Sequence, residues 1–397
     1  MIKNIAKIAT SHILVKGLGL LSIVIVLNFL SVEDFGKYSF YLVVLNLATI
    51  LIDPYLSAYL IEFKTRNYVK YNFGLVLIPI FLIPFFYVAA TCFIPGMALS
   101  VVLLFCGTFF ISAGLKSHLN IKEHYYYYGL VDVIRQLTLF ISTLVFFYYL
   151  NGKDYLQLLI LNYGSTLVIM IFLIMLMTKK SDLRFNIRFI EYQKLFKSSK
   201  HLILYMSIIP LISFIDSFFI DSFLTTRDLG MYSFSLKIYT VSLMLVVPIF
   251  TVLNIRQIEV AQVNGYLTFF HKNKRKVFVF SVLFFVLAFL LNWLLTEFIY
   301  VKYEDSFRDT SILLFAAFIA YLTLPFSFLM AYKKYKYLLI LGLVALFVDV
   351  FINYFFIARF GTLVAALSTL ISQIIINLGS AVYSYLLLNK KPNGINT

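Results

Sequence analysis

Long uninterrupted apolar runs constrain this chain more than any motif in it. About 20 consecutive apolar residues make a helix that crosses the hydrocarbon core of a bilayer. Twelve such runs can be drawn, at about 8–30, 39–61, 73–94, 98–117, 127–150, 155–177, 202–224, 231–253, 277–299, 311–331, 338–358 and 362–388. Backbone in lipid must satisfy its own hydrogen bonds, which leaves helices or closed barrels. Barrel strands are about ten residues long with alternating polarity; these runs are twice that length and uniformly apolar, so the chain reads as an all-α polytopic membrane protein. Only 13% of its 397 residues are charged, against about 25% in soluble domains. A DNA-binding domain, a cytosolic enzyme and a secreted disulfide scaffold are thereby excluded. The first run follows Lys3 and Lys7, yet it is too long for a signal peptide and lacks a small-residue cleavage site, so it is expected to stay as a membrane helix. Cys92 and Cys106 lie inside apolar runs and read as packing residues.

The net charge of +15 is read by location. With the N-terminus inside, the cytoplasmic segments carry 24 of the 33 Lys and Arg residues, including Lys116 and a cluster from Lys179 to Lys200, and the outside carries six. Such a bias in a strictly alternating pattern is a positive-inside signal. It predicts a multi-pass protein of a plasma membrane with both termini cytoplasmic. Lys16, Arg135 and Lys237 fall within runs.

An internal repeat divides the chain. Residues 29–54 align without a gap on 223–248, from Phe29-Leu30-Ser31 against Phe223-Leu224-Thr225 to Pro54 against Pro248, with ten of 26 positions identical. An offset of six spans puts both copies in the same sense, the mark of parallel six-helix halves. The expected organisation is a bundle at 1–178, a basic linker at 179–200 and a second bundle at 201–397. Within the repeated element, Gly36 and Gly230 are read as permitting a turn, and Asp34 and Asp228 as accepting orphan amide protons at the next helix start. The linker is basic and amphipathic in places, which suits a helix on an anionic leaflet.

Chemistry is sought next in the ionisable residues inside the runs, because each central charge disfavours insertion by about 2.5–3.5 kcal/mol and so faces a bundle interior or wet cavity. They are Lys16, Asp53, Asp132, Arg135, Asp216, Asp221, Lys237 and Asp349. Lys16 is the strongest cation, with His12 one turn earlier on the same face. Asp132 and Arg135, three apart, are placed to neutralise each other. Asp53 precedes Pro54, whose missing backbone donor is best tolerated beside water. Asp53, Asp216 and Asp349 are candidate proton or sodium sites. The five histidines never combine with Cys, Asp or Glu at metal-ligand spacing, so no metal site is expected. Gly17-Leu18-Gly19 lies inside a run and follows no strand, so it reads as close packing, not a phosphate loop.

Two parallel six-helix halves, a cationic interior, a basic linker, Lys-Gly-Leu-Gly-Leu-Leu at 16–21 and the paired Asp-x-Gly-x-Tyr-Ser elements together resemble the polysaccharide-transport branch of the multidrug, oligosaccharidyl-lipid and polysaccharide exporter superfamily, nearest the bacterial O-antigen flippases called Wzx. The resemblance implies a MATE-like fold that moves an undecaprenyl-pyrophosphate-linked oligosaccharide from the inner to the outer leaflet of a bacterial inner membrane. It implies a monomer without cofactors, working with membrane lipids and polysaccharide assembly proteins and with no nucleic acid. Lys16, Arg135 and Lys237 would serve the pyrophosphate, and H+ or Na+ at Asp53, Asp216 or Asp349 would drive the cycle. The rivals are a multidrug antiporter of the same superfamily, a membrane polymerase or acyltransferase, and a non-transporting scaffold.

Overall fold

A computed structural model of the chain describes residues 2–56, 78–121, 125–178, 189–243, 266–330 and 332–389. Every secondary-structure element among them is helical. Nine helices are long and apolar enough to cross a membrane among the described residues, and Leu14–Phe29 and Ile80–Phe93 are shorter apolar helices. A helix at 226–243 fills the start of the remaining expected run, whose end, with Pro248, lies outside the described residues. Residues 179–188 of the expected linker also lie outside them. The chain forms two compact units, Met1–Pro210 and Leu211–Thr397.

The first unit holds α1 (Ile2–Phe29), α2 (Val32–Leu47), α3 (Ile83–Phe93), α4 (Leu99–Ile121), α5 (Tyr125–Leu144), α6 (Tyr155–Thr178) and the start of α7 (Phe189–Phe223). Two contacts set the register of α1 on α5. A Cβ at Gly129 would come within 2.3 Å of the Ser11 hydroxyl, and one at Gly19 within 3.5 Å of the Gln136 amide. The described part of the second expected span lies in Val32–Leu56, which is helical along its length but interrupted. After α2 the chain tightens into a 3-10 turn at Ala48–Leu51, Ile52 leaves the helical region, and a new helix starts at Asp53 with Pro54 in its first turn. Proline is favoured there because that position needs no backbone donor.

In the second unit α7 is followed by α8 (226–243), α9 (Tyr266–Leu294), α10 (Phe307–Thr323), α11 (Tyr335–Phe360), α12 (Thr362–Gln373) and α13 (Gly379–Asn389). Their packing is that of a lipid-solvated bundle. On α11 the buried stripe is Leu338, Gly342, Ala345, Asp349, Asn353 and Ile357, while Phe347, Phe351 and Phe355 are exposed, Phe347 by 71%. Small and polar side chains face inward, where helices approach closely and hydrogen bonds are made, and large apolar ones face outward, where lipid solvates them. α10 repeats this with buried Leu313, Ala316, Ala317 and Ala320 at helical spacing.

The repeated element has the same geometry in both units, though not the one read from sequence. Both α1 and α7 end on the repeat's phenylalanine, Phe29 and Phe223. Ser31 caps α2 by accepting the Asp34 amide at 3.0 Å and donating its hydroxyl to Asp34 at 2.9 Å. In the second copy Thr225 does both toward Asp228, at 3.2 and 2.6 Å, and its own amide donates to Asp228 at 3.0 Å. The hydroxyl residues are therefore the caps, and only Asp228 accepts an amide proton. Gly36 and Gly230 do not make the turn. They sit buried inside α2 and α8, and the chain reverses earlier, at Leu30–Ser31 and Leu224–Thr225, because the hydroxyl cap already closes the helix there.

Candidate functional site

Each unit gathers charge inside its bundle, and the two gatherings differ in kind. In the first, Lys116 on α4 places Nζ 2.6 Å from Asp132 Oδ2 on α5, and Arg135 Nη2 lies 3.4 Å from Asp132 Oδ1. Lys116 also stands over the Tyr128 ring, 4.9 Å from its centroid, a favourable placement for a cation. Arg135 reaches the Ser112 hydroxyl at 3.5 Å. The α1–α5 register brings Lys16 level with Asp132, within electrostatic reach of Asp132, Arg135 and Lys116. Asp53, at the helix break, is within reach of Lys116 and Arg135. The acid is the inner member: the Asp132 side chain is 7% exposed, against 24% for Lys116 and 27% for Arg135. Lys116 and Arg135 thus share Asp132, with Lys16 and Asp53 in electrostatic reach, and the two paired cations carry more accessible surface than the acid.

The second unit holds a carboxylate site with no cationic side chain paired to it among the described residues. Asp216 on α7 is fully buried and accepts four hydrogen bonds. The donors are Tyr232 of α8 at 2.8 Å, Asn353 of α11 at 2.8 Å, Ser368 of α12 at 3.1 Å and Thr369 of α12. Such a set of donors suits an ionised carboxylate. Asp349, one turn before Asn353, is equally buried and feels the Asp216 charge. Ser368 and Ser372 lie beside it, but their hydroxyls are directed at Asp216 or the Ala365 carbonyl and at the Ala345 carbonyl. Both Asp349 oxygens and the Asn353 Oδ1 are consequently buried acceptors with no donor among the described residues. Two buried carboxylates side by side cannot both stay charged without compensation. An all-oxygen set of this kind suits a proton or a small hard cation.

The family profile described as "Polysaccharide biosynthesis protein" matches residues 1–254. The chain belongs to this polysaccharide biosynthesis family. None of the curated proteins matches it by sequence. Solved structures share its fold. An inward-facing multidrug resistance MATE family transporter of the MOP superfamily superposes with a TM-score of 0.68 at 12% identity, covering 95% of this chain and 96% of that one. The lipid II flippase MurJ, in an inward closed conformation, gives 0.66 at 16% identity, covering 96% and 91%. A MOP superfamily transporter from Pyrococcus furiosus, described as having a binding pocket of reverse polarity, gives 0.58 at 12% identity, covering 98% and 96%. The fold of this family member is therefore MATE-like.

Of the residues singled out from sequence, Lys16, Asp53, Asp132 and Arg135 come together in the first unit, and Asp216 and Asp349 in the second. Lys237 joins neither group: it lies on α8 with no carboxylate within ion-pair distance among the described residues. The side chain of His12 lies outside the described residues. Asp132 and Arg135 do pair, but Lys116 holds Asp132 more closely. Lys116 stands near the end of its run and reads there as a cytoplasmic flank; α4 continues to Ile121, and Lys116 pairs with Asp132 of α5. Tyr232, Asn353, Ser368 and Thr369 carry no sequence signal of their own, except that Tyr232 belongs to the repeat. The 194-residue offset sets Ser22 opposite Asp216, and Ser22 merely donates to the Leu18 carbonyl of its own helix. Among the described residues the carboxylate site is thus found in one of the two copies.

Proposed function

We propose that this protein is a flippase that carries a polyprenyl-pyrophosphate-linked oligosaccharide, a repeat unit of a surface polysaccharide such as O-antigen, from the inner to the outer leaflet of a bacterial plasma membrane. The observation that carries this reading is the cluster of Lys16, Lys116 and Arg135 on helices otherwise apolar enough for lipid. A pyrophosphate diester is dianionic and strongly hydrated, so leaving water requires replacement donors. An ammonium beside a guanidinium supplies charge-assisted hydrogen bonds to its oxygens. A substrate phosphate draws Lys116 and Arg135 away from Asp132, which sits behind them. The net positive balance of the cluster also opposes the cationic drugs that a multidrug antiporter would carry.

Alternating access supplies the motion, and the Asp216–Asp349 site supplies the coupling. H+ or Na+ bound there neutralises the paired carboxylates, and its release on the opposite side of the membrane biases the cycle. Asp53, placed among the cations, acts as a counter-charge to the substrate site and not as the coupling site. Lys237 is left as a secondary contact for the anionic head. The termini and basic flanks face the cytoplasm in this reading, and the protein works as a monomer beside polysaccharide assembly proteins. Its test is reconstitution into vesicles with the lipid-linked oligosaccharide and imposed Na+ or H+ gradients. Transfer between leaflets that follows one gradient and stops in Asp349→Asn supports the reading; transfer indifferent to both gradients and to that substitution contradicts the coupling.

A further inference from the structure

The start of α7 has a property that transport does not use. Residues 189–198 form a helix that breaks at Ser199, where φ is −120° and ψ 19°, before the chain enters the apolar span. At 100° per residue this short helix has two faces. One carries Leu195, Phe196 and Ser199. Leu195 is buried, Ser199 is half-buried, and Phe196, though 39% exposed, stacks its ring on Tyr55 at 6.3 Å between centroids with planes 25° apart. The opposite face carries Ile190, Gln193, Lys194 and Lys197, all exposed, with exposed Lys200 just past the break. Ile190 is 66% exposed.

A helix docked through one face, with lysines and an isoleucine on the other, and joined through a single break to a membrane span, is held where hydrocarbon gives way to headgroups. We infer that the outer face of 189–198 is a binding surface for anionic phospholipid headgroups of the adjoining leaflet. Lys194 and Lys197 neutralise lipid phosphates while Ile190 enters the acyl boundary, the arrangement of an interfacial helix. The contact also reaches inward. Tyr55 stands two residues after Asp53 in the helix that starts at the break, so bound lipid braces the segment that carries Asp53. Neither lysine belongs to the charged cluster, and loss of lipid dependence is separable from loss of substrate transfer.

Hydrogen exchange over 189–198 tests the inference, using the full chain in nanodiscs of phosphatidylcholine alone and of phosphatidylcholine with phosphatidylglycerol. The expected result is slower exchange in the anionic discs, by about fivefold for each lysine engaged at ~1 kcal/mol per basic residue, with the difference shrinking as salt is raised. In Lys194→Gln/Lys197→Gln the two lipids should give equal rates. Because the salt series uses the wild-type chain, it stands even if the double variant is poorly folded. Equal exchange of the wild type in both discs overturns the inference, as does a lipid difference that salt leaves intact.

Discussion

Lys116 and Arg135 compete for one carboxylate, and their unequal distances, 2.6 and 3.4 Å, set the order of effects on substitution. Asp132→Ala leaves two partly buried cations facing each other, whereas Lys116→Ala leaves Asp132 with Arg135. Thermal unfolding should therefore show the larger loss for Asp132→Ala, on the order of 1–3 kcal/mol after allowing for the exposure of both cations. The double variant should recover part of it, and strict additivity would show that the ion pair is not formed. In the second unit Asp216→Asn turns an amide toward donors that need an acceptor, and should destabilise by about 2 kcal/mol or more. Asp349→Asn loses no hydrogen bond and should unfold near the wild-type temperature. Equal destabilisation of the two would contradict the assigned roles. Lys16, Asp216 and Asp349 were legible in the sequence because a charge in an apolar run has few places to go. Lys116 was not, since a lysine near the end of a run resembles a flank, and Asn353 and Thr369 were not, since amides and hydroxyls are ordinary inside helices and only packing brings them to one carboxylate.

At the scale of elements, the carboxylate site depends on the joint between α11 and α12. Gly361 alone makes it, at φ 69° and ψ −158°, a region open essentially to glycine. A Cβ there meets nothing within 4 Å, so Gly361→Ala isolates backbone strain. It should cost about 1–3 kcal/mol in thermal unfolding and turn Ser368 and Thr369 away from Asp216; an unchanged melting temperature would deny the joint this role. The contact of α1 with α5 is governed by sterics instead. Gly129→Ala sets a methyl against both Oγ and Cβ of Ser11, at 2.3 and 2.7 Å, and should lower stability by about 1–3 kcal/mol. Ser11→Gly in the same chain should restore much of it, and no rescue would place the clash elsewhere. The helices themselves could be read in advance because lipid demands length and apolarity. The joints could not: Asp-x-Gly drew attention to glycines that prove helical, while the turn-making Ser31, Thr225 and Gly361 have no hydropathy signature.

For the whole molecule, the duplication yields two copies of one capped helix start but, among the described residues, one buried carboxylate pair, and the cationic cluster lies in the other copy. In the proposed function this division lets different side chains read substrate and driving ion, linked only through the conformational cycle. Its most direct test is a leaflet-resolved assay of the lipid-linked oligosaccharide in membranes carrying wild type, Lys16→Ala, Lys116→Ala or Arg135→Ala, each confirmed to be present at wild-type level. The account predicts that the intermediate accumulates on the inner face in all three variants while the wild type clears it. Normal appearance on the outer face in all three would contradict the assignment of the cationic cluster to the pyrophosphate.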